Sequence, residues 1–229
     1  MLSIKNVTVT YDNFIALDKI SLQLGSNCIH GLIGQNGAGK TTLLNTLYGF
    51  LESESGNITW NEQPLITTDI AYLPAESYFY PMITGREYLE LICMNNPGFD
   101  IDSWNNLFNL PLDNLIESYS SGMKKKLAVM GVLALDRPII MLDEPFNNLD
   151  IETNHTLRAI LKKYVANGKT ILLTSHVLES LTAICDQIHV IENRTIQHSF
   201  NKPEFSEIES YLFKKRDSLI DKNLEKLTK

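Results

Sequence analysis

The segment at residues 34–41, with the sequence GQNGAGKT, limits what this chain can fold into more than any other feature. It matches the pattern G-x-x-x-x-G-K-[ST], whose glycines let the backbone turn until successive N–H groups point into one concavity. The apolar run 28–33 before it predicts a strand. The run 42–48 after it predicts a helix, whose positive dipole end lies at the same place. These features predict a polyphosphate site formed by Gly34, Gln35, Asn36, Gly37, Ala38, Gly39, Lys40, Thr41 and Thr42.

Two residues of this segment have separate predicted roles. Lys40 extends its positive charge toward the β- and γ-phosphates, and the hydroxyl of Thr41 is a ligand for Mg²⁺. A glycine-rich turn that merely precedes a helix is the alternative, but the position between a strand and a helix disfavours it. The segment therefore predicts binding of ATP with Mg²⁺.

A second element is the apolar run 138–142, which ends in Asp143 and Glu144. In open α/β sheets, ligands bind at the carboxyl ends of the strands. Asp143 is predicted to hold Mg²⁺, directly or through water, and Glu144 to polarise the attacking water as a general base. Taken alone, the pattern is weak because many such runs are only boundaries between strand and loop. Its combination with the segment 34–41 strengthens it.

The alternation of strand and helix patterns predicts an α/β fold with a mainly parallel sheet covered on both faces. Residues 1–30 alternate in strand fashion, with turns at 12–13 and 25–27, and predict an N-terminal antiparallel part. Apolar residues at helical spacing predict a helical insert over 84–115, interrupted at 95–98. Further helices are predicted at 124–135, 151–165 and 177–185, and strands at 57–60, 70–73, 139–142, 170–174, 187–192 and 195–200.

These patterns predict one domain over residues 1–203, with a helical subdomain at about 84–135 and a charged helical tail at 204–229. The tail carries loosely helical leucines, and we interpret it as solvated or packed on a partner; they are Leu212, Leu219, Leu224 and Leu227.

Composition and charge narrow the possible partners. The net charge of −7 argues against a broad basic surface for nucleic acid, so no nucleic-acid partner is expected. No apolar run reaches the roughly 18 residues that cross a bilayer, so a membrane role requires a partner chain. The three cysteines form no CxxC pair, which is typical of reduced thiols in a cytoplasmic protein.

The segment 119–123, with the sequence YSSGM, resembles the signature motif LSGGQ of the ATP-binding cassette proteins. Together with the motifs above, the resemblance to this family covers residues 1–200. It implies a P-loop ATPase fold of the ABC type, and it implies that Ser120 and Gly122 bind the ATP held by a second ATPase subunit. A serine hydroxyl and free N–H groups at a helix N-terminus suit a γ-phosphate, although Ser120 as a mere helix cap is the alternative. Ser121 and Met123 depart from the family's Gly and Gln.

Three further residues take roles from the same resemblance. Tyr11 matches the aromatic residue that stacks on adenine, although an exposed strand tyrosine is common. Asp150, in the sequence NLD, matches the loop that passes between the two ATP sites, with the N-cap of the following helix as its alternative role. His176 matches the histidine that contacts the γ-phosphate, which makes it catalytic beside Lys40 and Glu144.

One expected residue is missing. The family places a Gln that touches Mg²⁺ after the strand 70–73, and this chain has Ala75 followed by Glu76. Either Glu76 is the Mg²⁺ ligand, shifted by one residue, or the metal contact is lost and only the mechanical link to the helical part remains.

The resemblance implies a dimeric ATPase that is the ATP-binding subunit of an ABC transporter and acts on a separate transmembrane permease. It would be cytoplasmic and peripheral on the inner face of the cell membrane through that permease. The segment 80–89 and the run SSGMK look most like the two-component export branch, whose cargoes include peptides, antibiotics and other drugs. A soluble cassette ATPase acting on DNA or ribosomes is the alternative. Such proteins add a long coiled coil or fuse two cassettes, and this chain has one motif set with too short a spacing between Lys40 and Asp143 for either. A catalytically silent module is disfavoured because Lys40, Asp143, Glu144 and His176 are all present.

Overall fold

The computed structural model of the protein describes residues 1–94 and 96–214. Ten strands lie in this part of the chain: β1 Leu2–Tyr11, β2 Phe14–Leu24, β3 Ile29–Ile33, β4 Ser55–Trp60, β5 Gln63–Pro64, β6 Ile70–Leu73, β7 Ile139–Leu142, β8 Thr170–Ser175, β9 Gln187–Glu192 and β10 Thr195–Asn201. The α-helices with both ends in it are α1 Lys40–Tyr48, α2 Gly85–Cys93, α3 Ile101–Phe108, α4 Ser121–Ala134, α5 Ile151–Ala166 and α6 Leu178–Thr182. Within this part, no helix is both long and apolar enough to cross a membrane.

The strands form two sheets. The N-terminal sheet has the order β2-β1-β4-β5 and is antiparallel throughout. The larger sheet has the order β10-β9-β3-β8-β7-β6; its strands are parallel except for β10, which runs antiparallel to β9. The predicted mainly parallel core and the antiparallel N-terminal part are both confirmed.

The central parallel strands β3, β6, β7 and β8 of the larger sheet are buried on both faces, as parallel sheets require. Alternate residues of β7 belong to different cores: Ile140 and Leu142 pack with α4 and α5, whereas Ile139 and Met141 pack with β1, β2 and α1. Because β3, β7 and β8 run parallel and in register, their C-terminal ends lie at one edge. The segments that follow these three strands therefore lie side by side.

The helical part between β6 and β7 packs closely on itself. A Cβ at Gly131 of α4 would lie 2.7 Å from Cδ1 of Ile92 and 3.0 Å from the hydroxyl oxygen of Tyr88, so a larger residue there requires these side chains of α2 to shift. Thr84 caps α2 through a reciprocal pair of bonds with Glu87, 3.2 and 2.8 Å long. This packing fixes the helix that begins with the signature-like segment.

Several predicted extents differ from the structure. The helical insert predicted to reach 115 is wrong beyond Phe108, because Asn109, with a left-handed φ of 51°, ends α3. Helix α4 begins at Ser121 rather than at 124, because Ser120 caps it.

The helix predicted at 177–185 is wrong at its C-terminal end, since α6 ends at Thr182. The cause is Asp186, whose carboxylate accepts a 2.9 Å bond from the N–H of Ile29 and whose own N–H donates to the Ile29 carbonyl, which turns the chain into β9. The predicted tail helix is described only at 208–214, after a 3-10 turn at Lys202–Glu207. Leu219, Leu224 and Leu227 lie outside the described residues, as does Asn95 of the predicted interruption.

Candidate functional site

A cleft of about 380 Å³ opens at the C-terminal edge of the larger sheet. Residues from four separate segments of the chain line it: Tyr11, Phe14, Ala16, Asn36, Gly37, Gly39, Lys40, Thr41, Thr42, Ala75, Asp143 and Glu144. A groove of about 850 Å³ between α3 and α5 is larger, but none of the predicted site residues lines it. The chemistry of the lining, rather than its volume, therefore identifies the smaller cleft as the candidate site.

The loop between β3 and α1 has the shape that its glycines predict. A Cβ at Gly34 would lie 2.4 Å from the carbonyl oxygen of Ile191, so no side chain fits there. Gly39 has a φ of 110°, in the left-handed region, and immediately precedes the first residue of α1. The loop therefore leads directly into a helix N-terminus, which favours an anion at this point.

Lys40 is a buried charge at the start of α1. Its Nζ donates to the carbonyl oxygens of Gly34, at 2.7 Å, and Gln35, at 3.2 Å, so the ammonium is held over the loop. Burial lowers the pKa of Lys40, while the nearby carboxylates of Glu144 and Asp143 oppose that shift. The loop thus carries its positive charge within the lining of the cleft.

Asp143 joins the phosphate-loop helix to the central strands. Its side chain is almost fully buried, with Oδ2 accepting a 2.7 Å bond from Thr41 Oγ1 and Oδ1 accepting a 2.5 Å bond from Thr174 Oγ1. The two predicted Mg²⁺ ligands, Thr41 and Asp143, are therefore in direct contact. The sequence analysis missed Thr174; its signal was a hydroxyl near the end of a buried strand.

Glu144 is held in a strained backbone conformation beside His176. Its φ of 49° is in the left-handed region, and its N–H donates a 3.0 Å bond to Thr174 Oγ1. The Oε1 of Glu144 lies 2.9 Å from Nδ1 of His176. Oε2 is buried and has no hydrogen-bond partner among the described residues. The predicted base and the predicted γ-phosphate histidine thus form one bonded pair.

Ser120 and Gly122 lie at the N-terminus of α4 and do not line the cleft. Ser120 is exposed, and its Oγ accepts a 3.2 Å bond from the N–H of Met123, so its alternative role as a helix cap is present. A Cβ at Gly122 would lie 2.8 Å from the carbonyl oxygen of Asn148, which requires glycine at this position. The signature-like segment therefore packs on the loop that leads to Asp150.

Asp150 is the N-cap of α5, as its alternative role predicts. Its carboxylate accepts bonds from the N–H of Thr153, at 2.7 Å, and from the hydroxyl of the same residue, at 2.9 Å. Lys126 of α4 lies 3.2 Å away. The bonds from Thr153, with a smaller contribution from Lys126, lower the pKa of Asp150 to about 2. Contact of Asp150 with a nucleotide stays a prediction.

Tyr11 stands at the rim of the cleft and is about half exposed. It pairs across the β1–β2 hairpin with Phe14, a second aromatic residue of the lining that the sequence analysis missed. The guanidinium carbon of Arg194 lies 3.9 Å from the centre of the Phe14 ring, a cation–π contact that holds this ring in place. The rim therefore offers an aromatic surface that suits the adenine base of a nucleotide.

Ala75 lines the cleft, whereas Glu76 is exposed and is absent from the lining. A role for Glu76 as a metal ligand stays a prediction.

Lys125 is a further residue that the sequence analysis missed. It lies in the second turn of α4 and is only 7% exposed, and its Nζ donates to the carbonyl oxygens of Ala75 and Asp143, both at 3.4 Å. A run of three lysines is typical of a solvated helix face. The signal was the spacing, since Lys125 precedes the buried residues Ala128, Val129 and Val132 at helical intervals.

Comparisons with known proteins agree with this geometry. The family model described as ABC transporter matches residues 17–147. The ABC transporter ATP-binding protein YtrB of Bacillus subtilis is 29% identical over 216 residues, which cover 90% of this chain and 74% of YtrB. The manganese transport system ATP-binding protein MntB of Listeria monocytogenes is 28% identical over 228 residues, covering 90% of this chain and 92% of MntB.

Among solved structures, a dimeric ATP-binding cassette in a post-hydrolysis state, bound to ADP and Pi, has the same fold. Its TM-score is 0.80 at 20% identity, and the match covers 88% of this chain and 99% of that one. Since the family match spans more than half of the sequence, the chain belongs to the ABC transporter family, as an ATP-binding subunit and an ATPase.

Proposed function

We propose that this ATPase works as a dimer that holds two ATP molecules, each between Lys40 of one subunit and Ser120 and Gly122 of the other. Closing and opening of the dimer drives a separate transmembrane permease. The observation that carries this proposal is the bonded group of Thr41, Asp143, Glu144 and His176, in which residues from three separate segments meet at the edge of the larger sheet.

Mg²⁺ fits the residues at this edge. Thr41 Oγ1 and Asp143 Oδ2 are oxygen donors 2.7 Å apart, and Mg²⁺ prefers oxygen ligands together with phosphate oxygens. When bound, the ion neutralises charge on the phosphates. Glu76 is the third proposed ligand; it is the carboxylate nearest in sequence to the Ala75 position, where the family resemblance places a metal contact.

Hydrolysis requires a base and positive charge in fixed places. Glu144 takes the proton of the attacking water on its unpartnered Oε2, while His176 holds Oε1 and so orients the carboxylate. Lys40 stabilises negative charge on the departing γ-phosphoryl group, an electrostatic effect that is large in a site shielded from water.

The dimer follows from where the signature-like residues lie. Ser120 is exposed, and neither it nor Gly122 lines the cleft of its own subunit. These groups lie away from the cleft of their own subunit, so it is a second subunit that supplies them to the γ-phosphate. The solved cassette of the same fold is described as dimeric, which supports this arrangement.

The permease binds beside the loop that follows β6. Exposed apolar side chains are concentrated between residues 78 and 94; they are Tyr78, Tyr80, Met82, Leu91 and Met94. The most exposed of them, Tyr78, presents 80% of its surface. Exposed apolar groups of this size mark interaction sites in soluble domains. Through this surface the subunit lies on the cytoplasmic face of the membrane.

The transport direction is proposed to be export of a peptide, an antibiotic or another drug. The segment 80–89 and the run SSGMK support this branch of the family by resemblance. The name of MntB assigns that relative to manganese transport, so Mn²⁺ is the competing cargo.

The test uses the subunit co-expressed with a candidate transmembrane permease, the membrane chain of the pair. Tyr78→Ser/Tyr80→Ser is expected to abolish co-purification with the membrane chain while the ATPase rate of the isolated subunit stays unchanged. Ile66→Ser, at a similarly exposed apolar residue away from this loop, is the matched control. Vesicles carrying the complex then distinguish ATP-dependent movement of a drug or peptide from movement of Mn²⁺, and uptake of Mn²⁺ alone contradicts the export proposal.

A further inference from the structure

Two consecutive lysines join the signature helix α4 to the segment 143–150, which begins with Asp143 and Glu144 and ends with Asp150. Lys125 donates to the carbonyl oxygen of Asp143 at one end of this segment. Lys126 forms a 3.2 Å ion pair with Asp150 at the other end. The same helix therefore holds both ends of the segment that contains the proposed base.

We propose that Lys125 is a positioning residue for ATP hydrolysis, which fixes the backbone of Glu144 and links it to the loop at Ala75. This inference rests on the proposed role of Glu144 as the base.

The position of Lys125 is costly for the fold. Burial of an ammonium group is unfavourable unless the charge is compensated. Among the described residues no carboxylate lies within 4.0 Å of its Nζ, and both of its acceptors are backbone carbonyls. Burial lowers the pKa of Lys125, and only the field of Asp143 and Glu144 opposes this. An apolar side chain at position 125, like those of Ala128 and Val129 on the same face, costs less free energy to bury.

The contact acts on one peptide group. The peptide between Asp143 and Glu144 is held at both ends, because its carbonyl oxygen accepts from Lys125 and its N–H donates to Thr174 Oγ1 at 3.0 Å. This peptide determines the orientation of Glu144, whose φ of 49° is an unfavourable conformation for a residue with a side chain. Loss of one of the two bonds lets the peptide rotate and moves the carboxylate away from its place beside His176.

The second acceptor of Lys125 gives this contact a further consequence. The carbonyl of Ala75 belongs to the loop that leads from β6 to the proposed permease surface at 78–94. The methyl side chain of Ala75 has no polar group of its own for a link to the catalytic residues. The ammonium of Lys125 therefore bridges that loop to Glu144, and a displacement of the loop changes the position of the base.

The experiment compares single variants of the full chain by their kcat, their ATP dissociation constant and their Tm. Lys125→Met removes the donor with little change in size, and we expect kcat to fall by about tenfold to a hundredfold, as for a misplaced catalytic group. The ATP dissociation constant is expected to stay within about twofold, because Lys125 does not contact the phosphate loop. Lys125→Arg, which keeps the charge and the donors, is expected to restore most of the lost kcat.

Lys124→Met is the matched control, since Lys124 neighbours Lys125 but makes no side-chain hydrogen bond or ion pair within the described residues. It is expected to behave as the wild type. A wild-type kcat in Lys125→Met overturns the proposal, as does an equal loss in both lysine variants. If Lys125→Met does not fold, Lys125→Gln keeps a neutral donor. An intermediate kcat in that variant supports the role, and a wild-type kcat contradicts it.

Glu144→Gln separates this inference from the proposed function. Normal turnover in Glu144→Gln removes the base assignment itself, whatever Lys125 does. A stalled Glu144→Gln together with a normal Lys125→Met overturns only the positioning role.

Discussion

The two sides of the proposed composite site differ in how far one chain organises them. On the hydrolytic side, Lys40 is bonded to the phosphate loop, Asp143 to Thr41, and Glu144 to His176. On the signature side, Ser120 is exposed and bonds only within its own helix end. The first side is assembled when the chain folds, whereas the second presents donors at a helix N-terminus and stays incomplete within the chain.

This difference separates ATP binding from ATP turnover. A folded subunit already holds the phosphate loop and the proposed base in place, so we expect nucleotide binding to need only the hydrolytic side. In the proposed dimer, the signature side contributes only when a second subunit docks. Variants of the two sides are therefore expected to affect different measurements.

The largest expected effect is on the hydrolytic side. Glu144→Gln keeps a side chain of the same size next to His176 but removes the base, so kcat is expected to fall by about a hundredfold to ten-thousandfold. ATP binding is expected to persist, and because turnover stops, an ATP-bound dimer is expected to accumulate in size-exclusion chromatography. Unchanged turnover in this variant contradicts the role of Glu144.

A smaller effect is expected on the signature side. Ser120→Ala removes a proposed γ-phosphate donor and also a helix cap worth about 1 kcal/mol. In the Glu144→Gln background, the ATP-dependent dimer is expected to weaken by about a hundredfold, because one hydrogen bond worth about tenfold is lost at each of its two ATP molecules. Binding of ATP to the isolated subunit, followed by calorimetry, is expected to be unchanged.

Thr84→Ala is the control for Ser120→Ala, because it removes the cap of α2 and leaves the signature segment intact. Equal loss of the dimer in both variants shows that helix capping, rather than phosphate contact, is what Ser120 supplies.

The metal site gives the next test on the hydrolytic side. As a ligand of Mg²⁺, Glu76 contributes a charge that its alanine variant lacks, so the Mg²⁺ concentration for half-maximal ATPase activity is expected to rise about tenfold in Glu76→Ala. Glu52→Ala, which removes another exposed carboxylate, is the control. An unchanged Mg²⁺ requirement leaves the Ala75 position without a metal contact.

Sequence reasoning predicted the hydrolytic side well because its chemistry is local. The phosphate loop is a contiguous pattern, and both it and Asp143 directly follow an apolar run that predicts a strand of a parallel sheet, so the meeting of Thr41 with Asp143 at one sheet edge could be expected. The role of Ser120 as a cap was likewise one of two stated alternatives, because a serine just before a helix caps it from sequence position alone.

The contacts that were missed depend on tertiary packing. Lys125 belongs to a run of charges, and only the approach of α4 to β6 and β7 buries it. Thr174 becomes a partner of Asp143 because β8 lies beside β7 in register. The early end of α6 depends on a bond between Asp186 and a strand far away in sequence. The local sequence signals that Lys125 is buried and that Thr174 lies near the end of a buried strand, but it does not indicate which residues they contact.

The smallest expected effect concerns the support of the hydrolytic side. His30, in the strand that leads into the phosphate loop, and His189 of β9 are both buried, with Nδ1 of His30 3.3 Å from Nε2 of His189. Nε2 of His30 lies 2.9 Å from the Gly25 carbonyl, which can only accept, so His30 donates there and accepts from His189. This series of hydrogen bonds ends at the hydroxyl of Ser199, 2.7 Å from Nδ1 of His189. Both rings are therefore neutral in the folded protein.

Burial lowers the pKa of His30, and burial, together with the repulsion that a proton on His30 would exert, lowers that of His189 to about 3. In the unfolded chain both histidines take up protons below about pH 6.5, whereas the lowered pKa values oppose protonation in the folded chain. Stability is therefore constant in this respect above pH 6.5 and falls as the pH drops. For His189, whose pKa is about 3, the fall approaches about 1.4 kcal/mol per pH unit. In urea unfolding between pH 7.5 and pH 5, His189→Asn is expected to lose one histidine's share of this slope. An equal slope in both proteins contradicts a contribution of His189 to this pH dependence.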